Sequence, residues 1–246
     1  YGSVFRGPER FLGDADEDSL DADDIEEGDE ADLVLKWWRA AAQVDSAVVP
    51  PDARTLGGAG LLQSALAALA GSKFLAAASE RALVFWLKQV RDYFRDSDLR
   101  QRIQLCLAEA IRPDTRVIVA HSLGSVVAYE GLCAHPEWDV RGLVTLGSPL
   151  GIRNIVLDRL VPPPAKVNGA WHGAWPASLA TWTNIADRAD FVALVKRLAP
   201  TYGDRVVDVE IDNGAKMHAV ERYLIAGATG AAILGGLRAG GSSADG

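Results

Sequence analysis

The sequence predicts an α/β fold organised around a mostly parallel sheet with helices on both faces. Three observations predict it. The apolar spacing is helical up to about Pro113 and changes to short β-branched runs after it. Four such runs follow, at 115–120 (TRVIVA), 141–146 (RGLVTL), 181–186 (TWTNIA) and 205–211 (RVVDVEI). Runs of this kind form strands buried on both faces. Helical text separates or follows them, at 126–133, 152–160, 191–198 and 219–226. Strand–helix alternation means parallel pairing with the helices lying on the sheet.

Ahead of the strands the chain reads as helices and loops. Leu33, Val34, Trp37, Trp38 and Ala41 recur at three- and four-residue spacing, and Pro50-Pro51 ends that region. Further helices are predicted at 61–69, at 80–94 with Leu83, Leu87, Val90 and Phe94 on one face, and at 99–111. The whole chain is read as one domain, 1–246. It comprises a flexible acidic segment at 14–32, a helical region at 33–111 and a sheet region at 114–237.

The 246 residues are 49% hydrophobic, enough to bury a sizeable core. Two cysteines, Cys106 and Cys133, are too few for a disulfide framework and have no zinc-like spacing; both read as small buried hydrophobes. The net charge of −8 is concentrated between Asp14 and Asp32, where 12 acidic residues occur without a basic one. The other 21 acidic residues face 25 basic ones. A near-neutral body with no basic aromatic stripe argues against nucleic acid as partner. The apolar stretch 61–78 is interrupted by Gln63, Ser64, Ser72 and Lys73, and 223–237 is too short to span a bilayer. With no signal peptide in view, the expected location is cytoplasmic.

In a parallel sheet, ligands bind at the carboxyl ends of the strands. The loop after the first strand reads Ala120-His-Ser-Leu-Gly124, a G-x-S-x-G pattern with Ala at its first position. The pattern serves a sharp strand-to-helix turn with the serine at its apex, which needs small residues two before and two after. Ser122 is therefore the candidate nucleophile, the competing reading being a helix-capping serine. A serine hydroxyl needs a histidine to take its proton and a carboxylate to orient that histidine. Of the four histidines, His121 should point elsewhere, His135 lies at a helix end, and His172 precedes the third strand. Only His218 follows a strand beyond Ser122. The acid belongs after 181–186, where Asp187 and Asp190 compete; Asp190, just before apolar text, is favoured. The order is Ser, Asp, His.

These segments (VIVAHSLGSVVAYE, LVTLGSPLG, NIADRADFVAL and HAVERYL) resemble serine esterases and lipases of the α/β-hydrolase superfamily. LVTLGSPLG is similar to the strand and turn of lipases related to the GPI inositol-deacylase group, although Leu150 stands where a histidine often follows the proline. The resemblance covers roughly 114–224. It implies hydrolysis of a carboxylic ester, on a small molecule or a lipid, through an acyl-enzyme without metal or organic cofactor. It also implies Leu123 N–H as one oxyanion donor. The other donor's loop and the first strands are expected to precede Tyr1, with 1–5 as a possible remnant. The Pro-, Gly- and Trp-rich segment 161–176 is read as a lid or acyl-pocket wall with Trp171 and Trp175 binding substrate, or else as a loop packed on the core. The rival from another class is a non-catalytic module whose acidic segment binds a basic partner.

Overall fold

The computed structural model describes residues 29–51, 61–68 and 80–239. The chain divides into two compact units, Tyr1–Arg102 and Ile103–Gly246. The proposed strand remnant at 1–5 and most of the acidic segment lie outside the described residues.

In the first unit, α1 (Asp29–Val44) packs on α2 (Leu61–Ala68) and α3 (Glu80–Arg95). The apolar stripe behaves as its spacing predicts: Leu33, Val34, Trp37, Trp38 and Ala41 are buried, opposite a core of Leu83, Leu87, Val90 and Tyr93. The end of the acidic run departs from expectation. Asp29 to Asp32 are not loop but the first turn of α1, where acidic residues favour the positive end of the helix dipole, and Glu30 is buried while Asp29 and Asp32 stay exposed. Glu30 is 2% exposed and pairs with Arg91 and, at 3.4 Å, with Lys88. Glu30→Gln removes a charge that both cations face. The expected cost is about 1–3 kcal/mol in denaturant unfolding, and an unchanged midpoint would show that the pairs contribute nothing. Helix α4 (Ser97–Ala110) starts two residues before the predicted 99 because Asp96 Oδ1 accepts the Leu99 N–H at 2.9 Å, an N-cap.

The second unit is α/β. Its strands are β1 (Val117–His121), β2 (Gly142–Leu146), β3 (Ala165–Val167), β4 (Ala170–His172), β5 (Thr181–Asp187) and β6 (Val206–Ile211). A four-stranded sheet runs in the order β1-β2-β5-β6, parallel throughout. Its helices are α5 (Leu123–Ala134), α6 (Ala199–Tyr202), α7 (Val220–Ile225) and α8 (Gly227–Ala239). Alternation along β2 assigns the two faces. Val144 and Leu146 join Ile185 and Tyr223 beneath α8. On the other face, Trp182 of β5 packs on Tyr129 of α5. Close approach of α8 depends on glycine: a Cβ on Gly142 would lie 2.9 Å from Gly236 Cα. The Gly-rich stretch 223–237 is thus mostly sheet-packed helix. Among the described residues no helix is long and apolar enough to cross a membrane.

Two predicted helices are absent. Residues 152–160 form turns and one 3-10 turn, Leu157–Arg159, although Ile152, Ile155, Val156, Leu157 and Leu160 are all buried. Asn154 interrupts at φ +64°, so the apolar spacing reports burial rather than helix. Residues 191–198 are also irregular, because tertiary bonds claim the backbone. Asp208 accepts the N–H groups of Leu198 and Ala199, and Asn184 donates to the Lys196 carbonyl. Cys106 is exposed rather than buried, since α4 turns Gln104 and Leu107 toward α5 instead.

Candidate active site

The carboxyl ends of the strands bring the reactive side chains together. Ser122 follows β1 directly and adopts φ 54°, ψ −133°. A non-glycine residue there costs of order 1–3 kcal/mol and persists only when its surroundings hold it. Its N–H donates to the Leu146 carbonyl at 2.9 Å. Its carbonyl accepts from Ser125 N–H at 3.0 Å and Ser125 Oγ at 2.6 Å. Ser148 Oγ completes the support, 2.7 Å from Ser125 Oγ. The Ser122 side chain makes no cap bond to α5, which removes the capping-serine reading.

That hydroxyl instead lies 3.0 Å from His218 Nε2, and His218 Nδ1 lies 2.8 Å from Asp190 Oδ2. Asp190 is fully buried and richly bonded. Oδ1 accepts the N–H groups of Val192 (2.8 Å) and Ala193 (3.3 Å), while Oδ2 also accepts the Tyr223 hydroxyl at 2.7 Å. Burial works to raise the Asp190 carboxyl, but His218, Lys196 and the Tyr223 hydrogen bond outweigh it and hold the group below the usual carboxylate range. An ionised carboxylate only accepts, so His218 Nδ1 carries hydrogen and Nε2 is left to accept from Ser122. The arrangement can therefore move a proton off the serine hydroxyl.

Asp187 has a different job. Its carboxylate accepts the N–H groups of Ala189 (2.8 Å) and Asn213, tying the loop after β5 to the loop after β6. Burial raises it, and those two bonds do not fully offset the rise. Of the two candidates, only Asp190 bonds His218.

Sequence reasoning missed two residues here. Tyr223, fully buried in α7, accepts the Asp187 N–H at 2.8 Å and donates to Asp190, so one hydroxyl spaces both aspartates. A Tyr in apolar helix text just after a candidate histidine was the available signal, because a buried phenol requires a partner. Gly147, at φ +55°, is the second. A Cβ there would stand 2.7 Å from Asp190 Oδ2 and 3.2 Å from His218 Nδ1.

Leu123 is the first residue of α5, so its N–H has no intrahelical acceptor and stands at the positive end of the helix. Trp175 is not brought to Ser122. Residues 165–172 form a hairpin whose Asn168-Gly169 turn, both at positive φ, was legible as a type I′ signal. Trp171 lies in β4 under Arg153 and Lys166. Trp175 lies under Arg205 and against Trp182, which is near the amino end of β5, opposite the end where Ser122 sits. Trp175 packs on Trp182, whereas the strands of the hairpin are largely exposed. Among the described residues no cluster of His, Cys, Asp or Glu could hold a metal ion.

No family model matches the chain, and no curated protein or solved structure matches it either.

Proposed function

We propose that the chain is a serine hydrolase of the α/β-hydrolase type that cleaves a carboxylic ester, on a small molecule or a lipid, through an acyl-enzyme. One observation carries this reading: an unbroken hydrogen-bonded line from buried Asp190 through His218 to Ser122, with Ser122 at positive φ between a strand and a helix. Ser122 Oγ attacks the ester carbonyl as His218 Nε2 takes its proton. The ionised Asp190 stabilises the resulting imidazolium, and the Leu123 N–H binds the oxyanion of the tetrahedral intermediate. His218 returns the proton to the departing alcohol. Water, activated in turn by His218, then releases the acid and frees Ser122. The strained backbone at Ser122 supports the assignment, because a serine without a task at a turn has no reason to keep it.

The test is labelling with a fluorophosphonate probe, followed by mass spectrometry of the digested chain. The expected result is one adduct, on the peptide containing Ser122. Absence of labelling, or an adduct on another serine, would overturn the reading and leave the non-catalytic module in its place.

A further inference from the structure

His121 takes no part in the line from Asp190 to Ser122, yet it lies against it. It is the last residue of β1, immediately before Ser122. Its Nε2 is 2.9 Å from the backbone carbonyl oxygen of His218. A carbonyl only accepts, so His121 Nε2 carries the hydrogen. Its ring centroid is 4.6 Å from that of His218, tilted by 35°, and 5.8 Å from that of Tyr223.

We infer that His121 is a positioning residue for His218, pinning its backbone carbonyl and backing its ring so that the imidazole stays between Asp190 and Ser122. The inference rests on His218 being the base of the proposed reaction. His218 needs such a tie because it sits in a loop, between the 3-10 turn Gly214–Lys216 and α7. The nearby loop bonds, from Asn213 Nδ2 to the Met217 carbonyl (3.2 Å) and from Ala219 N–H to Lys216 (3.0 Å), leave the His218 carbonyl itself unfixed. The bond from His121 fastens that carbonyl to the strand that presents Ser122. Nucleophile and base then share one rigid reference, the end of β1.

Charge supports the same role. Burial and the neighbouring His218 pull His121 down to about 4, against Asp190 and Glu221, which act to raise it. His121 is thus neutral where a catalytic histidine works, and it places no second cation beside an imidazolium.

The test compares His121→Leu and His121→Ala, which remove the donor, with His121→Gln, whose amide can donate at similar reach. Two readouts are taken: the second-order rate of fluorophosphonate labelling, and the low-field proton resonance of the His218 Nδ1–H held by Asp190. The expected result is labelling slowed about 10–100-fold in the variants without a donor, with their low-field resonance broadened or lost. His121→Gln recovers most of the rate and the resonance. Parent-like labelling in the Leu and Ala variants, or a Gln variant as slow as they are, overturns the inference. If the parent itself fails to label, the hydrolase reading falls and the resonance alone decides. Its loss in Leu and Ala with retention in Gln keeps the positioning role, and any other pattern removes it. Should Leu and Ala both unfold, a folded Gln variant with parent-like resonance supports the donor, and one without the resonance refutes it.

Discussion

Asp190→Asn is expected to lower the turnover of a p-nitrophenyl ester by the proposed hydrolase about 10⁴-fold and to leave KM nearly unchanged. The reason is the proton on His218. Asp190 accepts from Nδ1, and that leaves Nε2 free for the Ser122 hydroxyl. An asparagine at 190 offers an amide donor toward Nδ1, so the imidazole shifts its hydrogen to Nε2 and can no longer accept. The oxygen kept at the Oδ1 position still accepts the Val192 and Ala193 N–H groups, while the Tyr223 hydroxyl, which donated to Oδ2, loses that acceptor, so some stability is expected to be lost with the turnover. Asp187→Asn gives the contrasting result. Asp187 serves Ala189 and Asn213 rather than His218. Its loss costs about 1–3 kcal/mol of stability from weakened loop ties, while turnover stays within about tenfold of the parent. Ester turnover and thermal melts of both variants decide the matter. A larger loss of turnover in Asp187→Asn than in Asp190→Asn would move the orienting acid to Asp187.

Gly147→Ala is expected to lower that turnover by about 10²–10³-fold although the residue touches no reacting atom of the proposed mechanism. Its Cβ meets Asp190 Oδ2 at 2.7 Å, Tyr223 Cε2 at 3.1 Å and His218 Nδ1 at 3.2 Å, so the methyl drives into the bond between acid and base. The backbone at φ +55° adds left-handed strain of about 1–2 kcal/mol. Gly169→Ala separates strain from collision. Gly169 has φ +83° with nothing within 4 Å of the added methyl. It should lose stability in a thermal melt and keep parent-like turnover. Equal turnover in the two variants would show that the contact at Gly147 is not what matters.

The predictions differ in how much of their basis could be read in the sequence. Ser122 could be found because its signal is local: a β-branched strand, a small residue two positions before, a glycine two after, and an apolar helix. Asp187 ends β5 and Asp190 lies three residues on in the loop that follows, with similar neighbours in sequence. What separates them is which carboxylate reaches His218, 28 residues further on, and that distance belongs to the fold. His121 was read as pointing elsewhere, and its side chain does avoid Ser122. Its bond to the His218 carbonyl spans 97 residues, beyond any local pattern. The helices expected at 152–160 and 191–198 failed for a related reason. Apolar spacing records that a segment is buried, whereas its backbone geometry was decided by Asn154, Asp208 and Asn184.

By itself the sequence determined the short-range features: four parallel strands in the right places, the helices α1, α3, α4 and α5 within a few residues, and the small residues around Ser122. These follow from periodicity, β-branching and capping, which act between residues a few positions apart. Only the tertiary structure decided that Tyr223 bridges two aspartates, that Gly147 must lack a side chain, and that Trp175 packs at the far end of the sheet from Ser122. Each is a contact between segments distant in the chain. Such contacts are selected when the sheet closes and buried polar groups find partners, and no single segment specifies them.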